Sequence, residues 1–489
     1  MNAQRIKKYI LVIELSDTES KSSLFNKKGT LVSEGQQKFT PQKKTINYYE
    51  YDPLEVLYSI RSSIIKTLKH NINANQIESI GITNQSYICL AWEKESGLPL
   101  SPAISSLNAK SSNQWKLNAN RELQKIIKQK TGLNFNSKPL ATKIKWLNEK
   151  SLENSLYKKK NTQIGTCETW LLYNLTGKKT FATDYTNAIK TMLFNISTLN
   201  WDNELLKEFS ITADSLPKLL PATSTFGHTS GFVPLPDNIP ITCIISKNQA
   251  CLYGSNGHNF SDNHLIFHES CTIINTGTKL IQTEDDTIST TLTINEDKRF
   301  AIEIHTPMPT PILNLFSEAH KELLSAEKNK ELTDLKEDED LTIFSVFKKN
   351  SPSICAQNSI IGITNNTKPT QILKGALESI AFQIKESFEK LSHNTGLNTK
   401  EVHASGKLCK FSFLLQFLSD ILQTPVTSIE QDNYSAIGTA YLAGSCNNFY
   451  PKPLTQSKKD LKYYLPSLDP ISSFALYNQW KEIKDNLTL

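Results

Sequence analysis

The apolar positions of this chain fall into two successive patterns of the same kind. Near the start, Tyr9-Ile10-Leu11-Val12-Ile13 is a continuous apolar run, which predicts a buried strand over 8–15. Residues 21–26 and 30–34 predict two more strands around a Lys27-Lys28-Gly29 turn. A helix is expected over 53–70, where Leu57, Ile60, Ile64 and Leu68 recur on one face and Asp52-Pro53 supplies a start signal. Ser79-Ile80-Gly81-Ile82-Thr83 predicts the next strand. Further along, strands are expected at 264–267 and 271–275, followed by β-rich sequence to about residue 305. A long helix is expected over 370–391, with Ile372, Ala376, Ile380, Ile384, Phe388 and Leu391 facing a core. The charged stretch 323–340 reads as a solvated helix or loop. Strands alternating with helices indicate an α/β protein with mixed sheets covered on their faces.

At 489 residues the chain exceeds one ordinary core, so two domains of about 200–250 residues are expected. An apolar content of 38% and a charged content of 21% describe a globular protein. The net charge of +6 comes from lysines spread along the chain, without a basic block or an aromatic-interleaved stripe, which argues against nucleic acid as a partner. Arg5, Lys7 and Lys8 precede the first apolar run as in a signal peptide. Glu14 interrupts that run early, however, and no small-residue cleavage site follows. No apolar stretch approaches the ~20 residues a membrane span needs. The eight cysteines, Cys89, Cys167, Cys243, Cys251, Cys271, Cys355, Cys409 and Cys446, form no CxxC pair. Several sit in apolar runs as buried free thiols do, which points to the reducing cytoplasm and away from structural zinc.

Glycine is scarce, at 18 of 489 residues, roughly half the ~7% average. Loops that cradle phosphates need glycine so that backbone N–H groups can approach without a Cβ in the way. His258, His264 and His268 lie near one another with Glu269. Exposed loop histidines are the simpler reading of that cluster than a metal site. Ser405-Gly406-Lys407 looks like part of a phosphate loop but lacks the upstream glycine and spacing.

Several segments resemble the glycerol-kinase branch of the FGGY carbohydrate kinase family. Gly81-Ile82-Thr83-Asn84-Gln85 with Trp92 to Gly97 is similar to G-I-T-N-Q…W-E-K-E-T-G, and Gly165 to Asn195 is closer still. The same holds for Leu377 to Ala381, for Gln416-Phe417 with Ser419 to Leu422, and for Gly438 to Gly444. The resemblance covers essentially the whole chain. It implies two actin-like ATPase (ribonuclease H-like) α/β domains with an interdomain cleft, 1–250 on the polyol side and 251–489 on the nucleotide side.

The functional positions depart from that pattern. Ile244 to Gly254 resembles A-G-D-Q-Q-A-A-L-F-G, and the register fixed by Gln249 to Gly254 sets the family's catalytic Asp on Lys247. A general base must accept a proton, and a lysine, ordinarily protonated up to about pH 10.4, does not. The family's polyol-binding positions fall on Ser86, Tyr87, Ser106, Lys138 and Asn248, with Leu107 beside Ser106. The first phosphate loop, D-Q-G-T-T-S-S-R, becomes Glu14 to Lys21, so Ser16 replaces a glycine, Thr18 follows, and Asp17 and Glu19 add negative charge. The G-T-G loop is replaced around Phe267 to Ser270, D-G-G-A becomes Ser405-Gly406-Lys407-Leu408, and the G-A-P-Y-W-D segment is unrecognisable over 348–353.

The departures cluster on catalytic, polyol and nucleotide positions while scaffold segments keep their core residues. That implies a glycerol-kinase-like protein without glycerol phosphorylation, a pseudokinase with a binding or structural role and no expected cofactor. Its partner would be a second copy of itself, a true kinase or another metabolic protein. The alternatives are a working ATP- and Mg-dependent kinase of glycerol or another small polyol or sugar with a displaced base, and a decaying gene whose product only folds.

Overall fold

The computed structural model describes residues 7–45, 48–69, 72–85, 87–104, 121–134, 140–153, 161–255, 263–268, 271–277, 279–294, 300–306, 332, 344–347, 358–429, 433–451 and 461–486. Two main sheets share one topology. In the first, Tyr9–Leu15 pairs antiparallel with Glu19–Asn26, which pairs with Leu31–Lys38. On the other side of Tyr9–Leu15 lie Ile77–Asn84 and then Pro240–Ser246, both parallel to it, with antiparallel Thr223–His228 at the edge. In the second sheet, Asn263–Phe267 begins a meander with Cys271–Gly277 and Phe300–Thr306, and its other side carries Val402–Gly406 and Val426–Ile429 in parallel. Counted without the edge strands Thr223–His228 and Ile288–Leu292, each sheet has a crossover helix, Pro53–Thr67 in the first half and Pro369–Thr395 in the second, before its fourth strand.

The continuous apolar runs arise because the first strand of each sheet is covered on both faces. Leu11 and Ile13 pack with Ile60 and Ile64 of the crossover helix, whereas Ile10 and Val12 pack with Ala436 and Ala440 of the Tyr434–Ser445 helix. In the second half Leu265 and Phe267 meet Leu377 and Ile380, and Ile266 meets Cys251 and Leu252 of the Lys247–Gly254 helix. The helix following the fifth strand of each sheet therefore packs on the other sheet. These two helices cross at Gly254 and Gly438. A Cβ on Gly254 would lie 2.0 Å from the Tyr434 carbonyl oxygen, and one on Gly438 would lie 2.1 Å from that of Ala250.

The expected elements form with modest shifts. The third strand runs to Lys38, beyond residue 34. On the Pro53–Thr67 helix, Leu57 lies at the edge of the buried face, with Leu68 as its C-cap, and Ser59, Ser63 and Thr67 occupy that face. Their hydroxyls bond Ser20, Ser22 and the Ser22 carbonyl across 2.7–2.9 Å, so the helix approaches the sheet on small polar residues. The turn after Asn26 is held by the Asn26 side chain, which accepts from the N–H groups of Lys28 and Thr30, with Gly29 at φ +74°. Of the stretch 323–340, only Leu332 is described, and it is buried.

The histidine reading requires correction. His264 lies on a central strand, buried, with its ring 5.5 Å from that of His403. His268 follows the same strand and shares a hydrogen bond with the Cys251 thiol. Neither is exposed: pairing with Val402–Gly406 buries His264, and His268, on the bend after the strand, is half-buried against Cys251 of the Lys247–Gly254 helix. His258 and Glu269 lie outside the described residues. Among the described residues no group of three or more His, Cys, Asp or Glu is placed to hold a metal. No helix among them is long and apolar enough to cross a membrane.

Candidate functional site

Three parallel strands end side by side, with Leu15 and Ser246 both in register with Asn84. The carboxyl ends of such strands are where open α/β sheets place ligands, because the chain turns away there and leaves a crevice. The residues that follow these ends are the Ser16–Glu19 turn, Gln85 to Tyr87, and Lys247 at the first position of its helix. The second sheet faces them with His268, Thr272 and His305. Between the two lies a cavity of about 80 Å³ that Tyr87, Lys247 and Asn248 also line.

The floor is a polar network of fixed direction. Asp184 caps the short Tyr185–Ala188 helix, accepting from the backbone and side chains of Thr186 and Asn187. Asn187 Oδ1 then accepts from Asn84 Nδ2 at 3.1 Å, and Glu168 accepts from the same amide at 3.0 Å. Burial pushes Glu168 up to about 7 and Asp184 up to about 6, against the hydrogen bonds that favour their ionised forms. The Ser246 N–H donates to Thr186 Oγ1, tying the end of the fifth strand to this floor.

One wall is an ion pair between the halves. Lys190 Nζ donates to Glu303 Oε2 at 2.6 Å, Gln249 Nε2 reaches Glu303 Oε1 at 3.3 Å, and His305 lies 3.9 Å from the same carboxylate. Thr272 joins His305 Nδ1 to Asn248, which donates weakly to the threonine hydroxyl at 3.5 Å. Burial pushes the Tyr87 phenol up; Lys190 opposes that shift, while Glu303 and Asp17 add to it. Burial, then the positive charges of Lys247 and Lys407, hold His268 down to about 3. Lys190, Thr272, Glu303 and His305 were not singled out in the sequence, and Gln249 served there only as a register marker. The one signal was Glu303, an acid inside the apolar strand pattern Phe300-Ala301-Ile302-Glu303-Ile304.

The structure thus brings Lys247, Tyr87 and Asn248 together, whereas Ser86, Ser106 and Lys138 lie outside the described residues. Glu14 lies just below the strand end, buried, accepting a hydrogen bond from Ser435 Oγ. Ser16 and Thr18 form a turn closed on itself. Ser16 Oγ accepts from the N–H groups of Thr18 and Glu19 at 3.4 and 3.1 Å and donates to the Glu19 carbonyl. Those N–H groups are not presented to a phosphate as a glycine loop would present them. Gly406 has φ +105°, and a Cβ there would lie 2.2 Å from the Phe267 carbonyl oxygen, so strand packing alone accounts for this glycine. Among the described residues, neither the Ser16–Glu19 turn nor Gly406 is thus arranged as a phosphate loop.

A model of the FGGY family of carbohydrate kinases, N-terminal domain, matches residues 9–254, and one of the family's C-terminal domain matches 324–446. The chain belongs to the FGGY family of carbohydrate kinases. It is similar to the glycerol kinase of Treponema denticola, 28% identical over 98% of both chains, and to that of Clostridium botulinum strain Langeland, 30% identical over 97% of both. The glycerol kinase of Plasmodium falciparum, solved with ADP, superposes with a TM-score of 0.81 at 25% identity over 98% of both chains. A gluconate kinase from Lactobacillus acidophilus gives 0.80 at 18% identity over 98% of both, a likeness of fold alone. The expected pair of actin-like α/β domains is thus the fold of this FGGY chain, which is glycerol-kinase-like in sequence.

Proposed function

We propose that this FGGY protein does not phosphorylate glycerol and acts as a glycerol-kinase-like pseudokinase whose cleft serves binding. The observation that carries the reading is Lys247 at the end of the fifth strand, lining the cleft where the family resemblance sets a carboxylate. Among the described residues lining the cavity there is no Asp or Glu that could take over as base. Glu303 is held by Lys190 below its ordinary range, burial notwithstanding, which makes it a poor proton acceptor. The closed Ser16–Glu19 turn supports the same reading from the nucleotide side. No cofactor is expected, and the domain division at 250, the cytoplasmic location and a partner of metabolic type belong to this proposal.

The test is an assay of the purified full chain for ATP- and Mg-dependent glycerol phosphorylation, with rate of product formation as the readout. No turnover above background is expected. Turnover in the usual range of about 1–10³ s⁻¹ overturns the reading and makes the chain a working kinase with a displaced base.

A further inference from the structure

We propose that the Lys247 cleft binds a small hydroxylated anion, a molecule of a few heavy atoms carrying one carboxylate or phosphate group and at least one hydroxyl. The inference rests on the reading of this cleft as a binding site.

Charge supplies the first argument. Two lysines line the cavity, and they differ in state. Lys190 is paired with Glu303 at 2.6 Å, whereas Lys247, half-buried, has no ion pair or side-chain hydrogen bond among the described residues. Lys247 also stands at the start of its eight-residue helix, where backbone N–H groups point out of the helix end. Cation and helix end together favour an anion and cost desolvation without one.

Unmet hydrogen bonds supply the second argument, independently. Ser246 is 3% exposed, and its Oγ has no partner, although as N-cap it could have bonded its own helix. Asn84 is 1% exposed, and its Oδ1 also lacks a partner. The direction of that amide is not free. Ionised above about pH 6, Asp184 only accepts, so Asn187 gives it Nδ2 and turns Oδ1 toward Asn84 Nδ2, which leaves Asn84 Oδ1 as an acceptor in search of a donor. Both groups line the cavity. A buried acceptor left unmade is costly, and a ligand hydroxyl is the donor that an anion can carry with it.

Size limits the ligand. A cavity of about 80 Å³ holds several water-sized groups, far less than the ~300–1,000 Å³ of sites for drug-sized molecules. A nucleotide is far larger than this cavity, whereas a three-carbon hydroxy acid or phosphorylated triol is of the right order.

The experiment titrates the full chain, without nucleotide, by calorimetry and thermal shift against glycerate, glycerol phosphate, glycerol and inorganic phosphate. Binding of glycerate or of glycerol phosphate, tighter than both glycerol and inorganic phosphate, is expected, and which of the two binds identifies the anionic group. Lys247→Met should weaken that binding roughly tenfold to hundredfold, as loss of a charge-assisted hydrogen bond does. Lys247→Arg should retain most of it, and Ser246→Ala should weaken it with the unliganded midpoint nearly unchanged. Equal binding of glycerol, no binding of either hydroxylated anion, or undiminished binding by a folded Lys247→Met protein overturns the proposal. Because no ATP is present, these outcomes are read apart from the phosphorylation assay, so either result can fail alone.

Discussion

Lys190 Nζ lies 2.6 Å from Glu303 Oε2, and the two side chains, 7% and 0% exposed, join the halves of the protein at the cleft. Burial works against the charge on each. Even so, Glu303 holds Lys190 above its ordinary range and Lys190 holds Glu303 below its own. Each charge is tolerated there only because the other is present.

Removing one partner should therefore cost far more than the pair is worth. Lys190→Met or Glu303→Gln is expected to destabilise the protein by about 3–5 kcal/mol, whereas the double variant Lys190→Met/Glu303→Leu should recover a good part of the loss. Urea unfolding of the three variants measures this. Single-variant losses below about 1 kcal/mol would mean the pair is solvated like a surface bridge.

The crossing of helices 247–254 and 434–445 predicts a second sensitivity. Gly254→Ala or Gly438→Ala would set a methyl against backbone carbonyls that cannot rotate away. Losses at or above the ~1–3 kcal/mol of ordinary overpacking are expected. Gly277→Ala, with nothing within 4 Å of its Cβ, serves as the control and should change stability by no more than about 0.5 kcal/mol. Equal effects at Gly254 and Gly277 would show that the crossing is looser than its distances imply.

The double-sided burial of Ile10 to Ile13 was legible because it leaves an unbroken apolar run. So was the long helix, whose Ala376, Ile380 and Ile384 repeat at helical spacing on the core face. The serine face of the 53–67 helix was not, since small hydroxylated residues that allow close approach look like solvated positions in a hydrophobicity pattern. The Lys190–Glu303 wall was equally invisible, its members being 113 residues apart. The strand at 264–267 was expected, but His264 beside the polar run Ser261-Asp262-Asn263 looks like an exposed position, and only the pairing with Val402–Gly406 across 140 residues buries it. Lys247 and Asn248 were found from register alone, and the structure adds what register cannot, namely which of their neighbours lack partners.

Restoring a carboxylate at the base position should not restore a kinase. Lys247→Asp leaves Tyr87, Asn248 and the closed Ser16–Glu19 turn as they are, so no ATP-dependent glycerol phosphorylation is expected. The variant should fold, because an acid in the first turn of a helix gains about 0.3–1 kcal/mol from the dipole. Measured turnover in a folded Lys247→Asp protein would show that one side chain, and not the set, silences the site.

Stability against pH follows from the buried titratable groups. His264 and His268 are each held down to about 3, His264 by burial and then by His403, so both stay neutral in the fold while the unfolded chain takes up protons below about 6.5. Their contribution is complete above that value and falls by ~1.4 kcal/mol per pH unit per histidine as pH drops toward 3. Glu168 and Asp184 run the other way. Raised to about 7 and about 6, they bind protons in the fold before the unfolded chain does, so stability rises as pH falls from there to their ordinary values of 4.5 and 3.8. The two sets oppose one another from about pH 6.5 to about 4.5, which predicts a shallow profile there. Below it Asp184 alone opposes the two histidines, and only down to about 3.8, while Glu303, depressed by Lys190, begins to lose its own contribution as pH falls through its folded-state value. A steep fall in the urea midpoint is therefore expected between about pH 4.5 and 3. His264→Leu, which removes two ring nitrogens without partners, should leave the midpoint near neutral pH unchanged or higher and make the acid limb shallower. An acid limb of unaltered steepness in that variant would assign the loss to the carboxylates alone.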